Sequence, residues 1–239
     1  MKSDSLQVGN FTFKWGSRAY IMGILNITPD SFSGDGLMSL SPSGRGVRRR
    51  TEPVEVGEGE SHALEQAKQF LENGADILDI GGESTRPGSQ PVTADEELAR
   101  VIPVIESIHK NFPDAIISID TSKAEVAEAG FKAGASILND VWALRADPRL
   151  ASVAAAFRVP VILMHNRSNP ASVEVRERLG NAYIGSEYEN LIEDVKRELL
   201  VSVEIAKKAG VEESRLIVDP GIGFGKKREH NLELINRLD

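Results

Sequence analysis

Three polar residues stand at the ends of short apolar runs: Asp120 after Ile116–Ile119, Asn139 after Ser136–Leu138, and Asp219 after Leu216–Val218. Runs of this length suit buried strands. A carboxylate or amide that closes such a strand sits at the mouth of the sheet, where little water competes for it. Two carboxylates and one amide in a common bowl suit a flat ring with several N–H donors, a pterin or a purine. Either aspartate alone also reads as a cap for the helix that follows it. The recurrence at equivalent positions favours a shared site. Asn26 follows a similar run, Tyr20–Leu25, while Thr85 and Arg86 lie in a polar loop. Together they supply neutral polar groups and one fixed cation, suited to phosphate oxygens and a hydrated Mg²⁺. Met164 and Phe224 are of the type to sandwich a flat ring, and equally of the type to fill a core. His165 ends another apolar run and invites a general-base reading, but no nucleophile is paired with it.

The elements that position these residues alternate strictly. The run Ile77–Ile80 opens into Gly81-Gly82 and a polar tract ending Arg86-Pro87-Gly88, the pattern of a buried strand presenting a loop at its carboxyl end. Leu64, Ala67 and Leu71 mark a helical face that stops at Gly74. Thr93 with Glu96 predicts a capping box, and Ser122 with Glu125 a second one. Asp147 followed by Pro148 predicts a helix N-terminus, Glu187 to Ala209 a long amphipathic helix, and Glu229 to Leu238 a last one. Six strand–loop–helix units result, with strands apolar on both faces, as in a parallel sheet covered by helices. Polar residues gathered at the carboxyl ends favour an α/β fold of the TIM (β/α)8 type, incomplete, with about six of its eight strand–helix units. A doubly wound open sheet is the alternative, but no Gly-x-Gly-x-x-Gly follows the first strand.

Residues 1–19 read as an N-terminal hairpin turning at Gly9-Asn10, and residues 20–239 as the barrel domain. Within it, Met38 to Glu60 has almost no large apolar side chains and sets a basic block against an acidic one. It is expected to be a disordered insertion, since it buries too little surface to offset its ordering entropy. With 28 Lys and Arg against 36 Asp and Glu, the net charge of −8 offers no broad basic surface for nucleic acid or acidic lipid. The 239 residues contain no cysteine, which excludes disulfides, thiolate metal sites and thiol nucleophiles. No apolar run reaches membrane-spanning length, and a cytoplasmic location is expected.

Four segments carry a resemblance. Met22-Gly-Ile-Leu-Asn-Ile-Thr-Pro-Asp-Ser-Phe-Ser33, Gly81-Gly-Glu-Ser-Thr-Arg-Pro-Gly88, Asp120-Thr-Ser-Lys123 and Asp219-Pro-Gly-Ile-Gly-Phe-Gly-Lys226 resemble, in this order, the motifs of the dihydropteroate synthase family. The resemblance implies a pterin-binding TIM barrel of folate biosynthesis, a sulfonamide target. Such an enzyme joins 4-aminobenzoate to (7,8-dihydropterin-6-yl)methyl diphosphate, releasing dihydropteroate and diphosphate. By position it implies that Asp120, Asn139 and Asp219 hydrogen-bond the pterin, with Met164 and Phe224 walling its slot. It implies Mg²⁺ at Asn26 and a phosphate contact at Thr85. Phe32, Arg86 and Pro87 would shape the p-aminobenzoate pocket, which makes Asn26, Thr85 and Arg86 the expected catalytic set. It also implies a dissociative substitution that needs no side-chain nucleophile, and a homodimer in the full-length family.

Three departures temper this. The family's first loop usually reads Ser-Asp-Gly-Gly where this chain has Ser33-Gly34-Asp35-Gly36, so Asp35 receives no role. The 38–60 segment follows that loop directly. The family's later Ser-Arg-Lys and Arg-x-His motifs are absent, so a truncated chain, marginally stable alone, is expected. Two readings therefore stay open beside the synthase: a related folate-to-corrinoid methyltransferase domain, and a non-enzymatic pterin-binding fragment.

Overall fold

The computed structural model describes residues 4–28, 56–84, 91–167 and 187–238. Thr85, Arg86, Pro87, Phe32, Asp35 and most of the 38–60 segment lie outside these residues. Helix α1 (Val56–Glu72) begins inside that segment, so its last residues, 56–60, are helical rather than disordered.

Two strands, β1 (Ser5–Val8) and β2 (Phe11–Lys14), form the expected antiparallel hairpin. Six more make one parallel sheet in sequential order: β3 (Met22–Asn26), β4 (Ile77–Gly81), β5 (Ile116–Asp120), β6 (Ile137–Asp140), β7 (Val161–Met164) and β8 (Leu216–Asp219). Helix α1 precedes β4, and α2 (Ala94–Asn111), α3 (Ala124–Ala133), α4 (Leu150–Phe157), α5 (Leu191–Lys208) and α6 (Arg228–Asn236) follow the successive strands. Sequential parallel order with a helix after each strand is the winding of a (β/α) barrel. Among the described residues β3 and β8 each pair along one side only, and Ile24 and Val218 on those edge strands are 56% and 53% exposed.

Strand residues alternate between two environments because successive side chains point to opposite faces. Leu78, Ile80, Ile117, Ile119, Leu138, Val161 and Leu163 face outward into the main core, packed with α2 residues such as Val101, Ile105 and Ile108. Ile77, Ile116, Ile137 and Ile162 face inward, where Leu6, Val8 and Phe13 of the hairpin cover them. Full burial of each such side chain contributes about 1.5–3 kcal/mol relative to exposure. The hairpin is held in place by Arg18, whose guanidinium pairs with both oxygens of Asp76 and lies over the Tyr20 ring.

Helix starts follow the sequence at α2 and depart from it at α3, α4 and α5. The Thr93–Glu96 capping box is present: Thr93 Oγ1 accepts from Glu96 N at 3.3 Å, and Glu96 Oε2 from Thr93 N at 3.0 Å. The Ser122–Glu125 box is not: α3 begins at Ala124, whose N–H donates to Asp147 Oδ2 at 3.0 Å. Asp147 in turn does not open α4 at Pro148, since that helix begins at Leu150. A carboxylate that caps the preceding helix through space outcompetes the local cap. Helix α5 begins at Leu191, capped by Asn190, rather than at Glu187.

Candidate active site

The inward face that is isoleucine at the amino end of the sheet becomes polar two residues later. Stepping along it gives Ile77 then Asp79, Ile116 then Ser118 and Asp120, Ile137 then Asn139, Ile162 then Met164, and Ile217 then Asp219. The period of two therefore gathers Asp120, Asn139, Met164 and Asp219 over one apolar floor. Asn26 shares the carboxyl-end level on β3, opposite Gly81, and is exposed. Gly81 lies beside Asp120 in the sheet register.

Asp79, within the Ile77–Ile80 run of β4, is central to this cluster. It is buried, and its Oδ2 accepts from Asn139 Nδ2 at 3.0 Å, which fixes the amide of a proposed ring-binding residue. The buried Ser118 hydroxyl lies opposite it in the sheet register. Burial pushes the Asp79 carboxyl up to about 6, against the pulls of the Ser118 hydroxyl and the Asn139 amide. Asp120 is held well above the usual carboxylate range, first by desolvation and then by the charges of Asp79, Asp140, Glu97 and Glu83. Several acids crowded into low dielectric favour a ligand that brings N–H donors.

Asp140, next to Asn139, does different work. Its oxygens accept from Trp142 N at 2.9 Å and Leu144 N at 2.6 Å, closing a turn in which Ala143 and Leu144 have left-handed φ values of 52° and 65°. It is a structural carboxylate of the loop after β6, pushed up to about 6 by burial.

The loop after β8 is built with equal economy of contacts. Asp219 Oδ1 accepts from Gly221 N at 2.7 Å, and Asp219 O accepts from His165 N at 2.8 Å. Gly221 (φ 69°) passes so close to β7 that a Cβ would come within 2.0 Å of His165 O, so no other residue fits. Phe224 is half-buried in the same loop, and Met164, paired with Asp219 in the sheet register, is 4% exposed. Lys226, at the end of this loop, is buried with its ammonium on backbone carbonyls.

His165 is buried, with Nε2 3.1 Å from Glu198 Oε2. Desolvation first, and then the Lys226 charge, lower its pKa to about 4, so at neutral pH it is an uncharged packing residue held in place and not a base poised for proton transfer. The ends of the loop after β4 are pinned by an ion cluster that the sequence did not reveal. Lys123 Nζ lies 2.5 Å from both Glu83 Oε2 and the buried Glu97 Oε2, while Glu83 Oε1 accepts from Val92 N at 3.2 Å. Arg100 adds a bond to Gly82 O at 2.8 Å. Gly82 is required there, since a Cβ would press on Val101 and Glu97 at 2.8 and 2.9 Å. Glu83 and Lys123 come from motifs quoted above, but only the tertiary contact joins them.

No group of three or more His, Cys, Asp or Glu side chains able to hold a metal ion occurs among the described residues. The donor available to Mg²⁺ is the exposed Asn26 amide oxygen. One protein oxygen completed by water and substrate phosphates is a normal coordination for that ion. No helix of the described residues is long and apolar enough to cross a membrane.

Comparison with known proteins agrees with this geometry. Residues 22–239 match the pterin binding enzyme family. The chain is 43% identical to the dihydropteroate synthase of Clostridium beijerinckii over 98% of its own length and 74% of that protein's. It is 45% identical to the Bacillus subtilis dihydropteroate synthase over 93% of its length and 65% of that protein's. It superposes on Xanthomonas albilineans dihydropteroate synthase with 4-aminobenzoic acid at a TM-score of 0.76 and 38% identity, covering 99% of this chain and 73% of the other. A six-stranded parallel (β/α) sheet with a carboxylate-and-amide bowl at its carboxyl end, matched over nearly all of its length, makes this chain a member of the pterin binding enzyme family, of the dihydropteroate synthase type.

Proposed function

We propose that this chain binds (7,8-dihydropterin-6-yl)methyl diphosphate and directs its condensation with 4-aminobenzoate to give 7,8-dihydropteroate and diphosphate. The observation that carries the reading is the acid and amide set on one face above an isoleucine floor: buried Asp79 with half-buried Asp120, Asn139 and Asp219. The edge of a pterin carries several N–H donors beside ring acceptors. Asp120 and Asp219 accept from the donors, and Asn139, oriented by Asp79, both donates and accepts. Met164 and Phe224 wall the flat ring.

Mg²⁺ held by Asn26 would neutralise charge on the departing diphosphate. Thr85 and Arg86 are the proposed phosphate contacts, and Phe32, Arg86 and Pro87 the proposed wall of the aminobenzoate pocket. The C–O bond to diphosphate breaks ahead of C–N bond formation, the methylene becomes cation-like, and the aniline nitrogen attacks it. The pterin-binding carboxylates stabilise that charge electrostatically, so no side-chain nucleophile is needed. A cytoplasmic location and a homodimeric assembly accompany the reading.

The test supplies the purified chain with both substrates and Mg²⁺ and follows dihydropteroate by mass. Product formation that disappears in Asp219→Ala supports the whole reading. Pterin diphosphate binding without product would restrict the chain to binding. Absence of binding would overturn both.

A further inference from the structure

The β8 loop carries a buried cation that the recognition of a pterin ring does not itself require. Lys226 is 5% exposed, and its Nζ lies 2.8 Å from Gly221 O, 3.1 Å from Phe224 O and 3.2 Å from His165 O. All three acceptors are backbone carbonyls. Two belong to the loop that bears Phe224 and follows Asp219, and the third ends the strand that bears Met164. Among the described residues no carboxylate touches the ammonium, although a buried lysine ordinarily takes one. A neutral apolar side chain would be the cheaper occupant of such a position, and departures of this kind concentrate where a molecule works.

We infer that Lys226 is a positioning residue for pterin binding, its ammonium tying the carboxyl end of β7 to the loop after β8 so that Met164, Asp219 and Phe224 present one slot. The inference rests on the pterin-binding reading above. The close passage of Gly221 against His165 O shows how tightly the two segments must approach. Lys226 closes that approach at three points, and Asn231 Oδ1 holds the outer side of the loop through Gly223 N at 2.8 Å.

The ammonium form is what the geometry uses, because three carbonyls are served by three N–H donors and a neutral amine has two. Desolvation first lowers the Lys226 pKa, to about 8; Arg167 adds to the lowering, while Asp219 on β8 and Glu198 on α5 oppose it. The other groups facing the cluster are His165, uncharged at neutral pH, and Arg145, which donates to Asn166 O. Titration of Lys226 should therefore be visible in ligand affinity on the alkaline side of neutrality. It should not appear as a loss of fold stability. A lysine whose folded pKa lies below its unfolded value makes the fold more stable as pH rises between the two.

The experiment measures binding of (7,8-dihydropterin-6-yl)methyl diphosphate with Mg²⁺ by calorimetry at about pH 7 and about pH 9.5, with the ligand-free thermal midpoint at each pH. The unaltered chain should lose about tenfold in affinity at the higher pH with no matching fall in midpoint. Lys226→Met should bind about tenfold more weakly at the lower pH and show no further alkaline loss. Lys226→Met that binds within about twofold of the unaltered chain, or that keeps the alkaline loss, overturns the inference. If the Met variant does not fold, an unchanged affinity of the unaltered chain across the two pH values overturns it alone. Asp219→Asn is the control for the underlying reading: if it binds as the unaltered chain does, the pterin site itself is wrong, whatever Lys226 does.

Discussion

The two ends of the same six strands solve opposite problems. At the amino end, Ile77, Ile116, Ile137 and Ile162 meet Leu6, Val8 and Phe13, and the rings of Phe11, Phe13, Trp15 and Tyr20 pack edge to face or stacked at 4.8 to 6.1 Å. The buried side chains of that floor are all apolar. Two residues further along the same face, Asp79 and Ser118 are buried polar groups, the Asp79 carboxyl pushed up by desolvation, and Asp120 sits in a field of other acids. One end stores stability and the other stores buried polarity. The division lets the barrel keep a costly site because a different stretch of the same strands supplies the burial.

Substitutions should separate the two ends. Phe13→Ala opens the apolar plug and should cost about 3–5 kcal/mol of unfolding free energy, while the folded fraction keeps its pterin affinity. Denaturant unfolding and calorimetry on one sample check both halves. A parallel loss of affinity would mean that the floor also shapes the slot. Asp120→Ala or Asp219→Ala should do the reverse. Loss of one charge-assisted hydrogen-bond set removes roughly 2–4 kcal/mol of binding, thirtyfold or more, with little loss of stability.

Lys123→Met lies between these cases. It leaves Glu97, 1% exposed, without its cation, and should destabilise the fold by about 2–3 kcal/mol, less than a fully buried pair would because Lys123 itself reaches solvent. Its Glu83 contact also pins the start of the loop after β4, so 4-aminobenzoate affinity should fall more than pterin affinity. Equal losses would remove the loop from the explanation.

The smallest expected effect is a gain. A carboxyl raised to about 6 in the folded state destabilises the fold above that pH, so wild-type stability from Asp79 falls as pH rises from about 4 through about 6. Asp79→Asn should add about 1–2 kcal/mol at neutral pH and flatten stability across that acid window. Urea midpoints at several pH values read this directly. A variant less stable than the original at neutral pH would show that the Asp79 carboxylate is net stabilising and sink the account of the site as a stored cost.

Much of the site was legible because its signals are local. An apolar run ending in Asp or Asn names a strand and its mouth in one stretch, which makes Asp120, Asn139 and Asp219 legible as mouth residues. Met164 and Phe224 were readable only as side chains able to wall a flat ring; Met164 ends β7 and Phe224 lies in the loop after β8. Capping was legible where both partners sit within one turn, as at Thr93 and Glu96. It failed at Ser122 and Asp147, where the carboxylate that caps α3 lies 23 residues away. Thr85, Arg86, Pro87 and Phe32 lie outside the described residues and keep only their sequence-based assignment.

What the sequence determined by itself is the order of the units, the alternation of strand and helix, and the polar mouth, since all three follow from periodicities and punctuation within a few residues. Only the tertiary structure decided which charges live together. Asp79 orients Asn139 across 60 residues, Lys123 binds Glu83 across 40, and Lys226 ties its own loop to His165 across 61. A parallel sheet sets neighbouring strands side by side only after a helical crossover, so every contact at its mouth is long in sequence. Burial then fixes the energy of each charge, and burial is a property of the assembled sheet and not of any single strand.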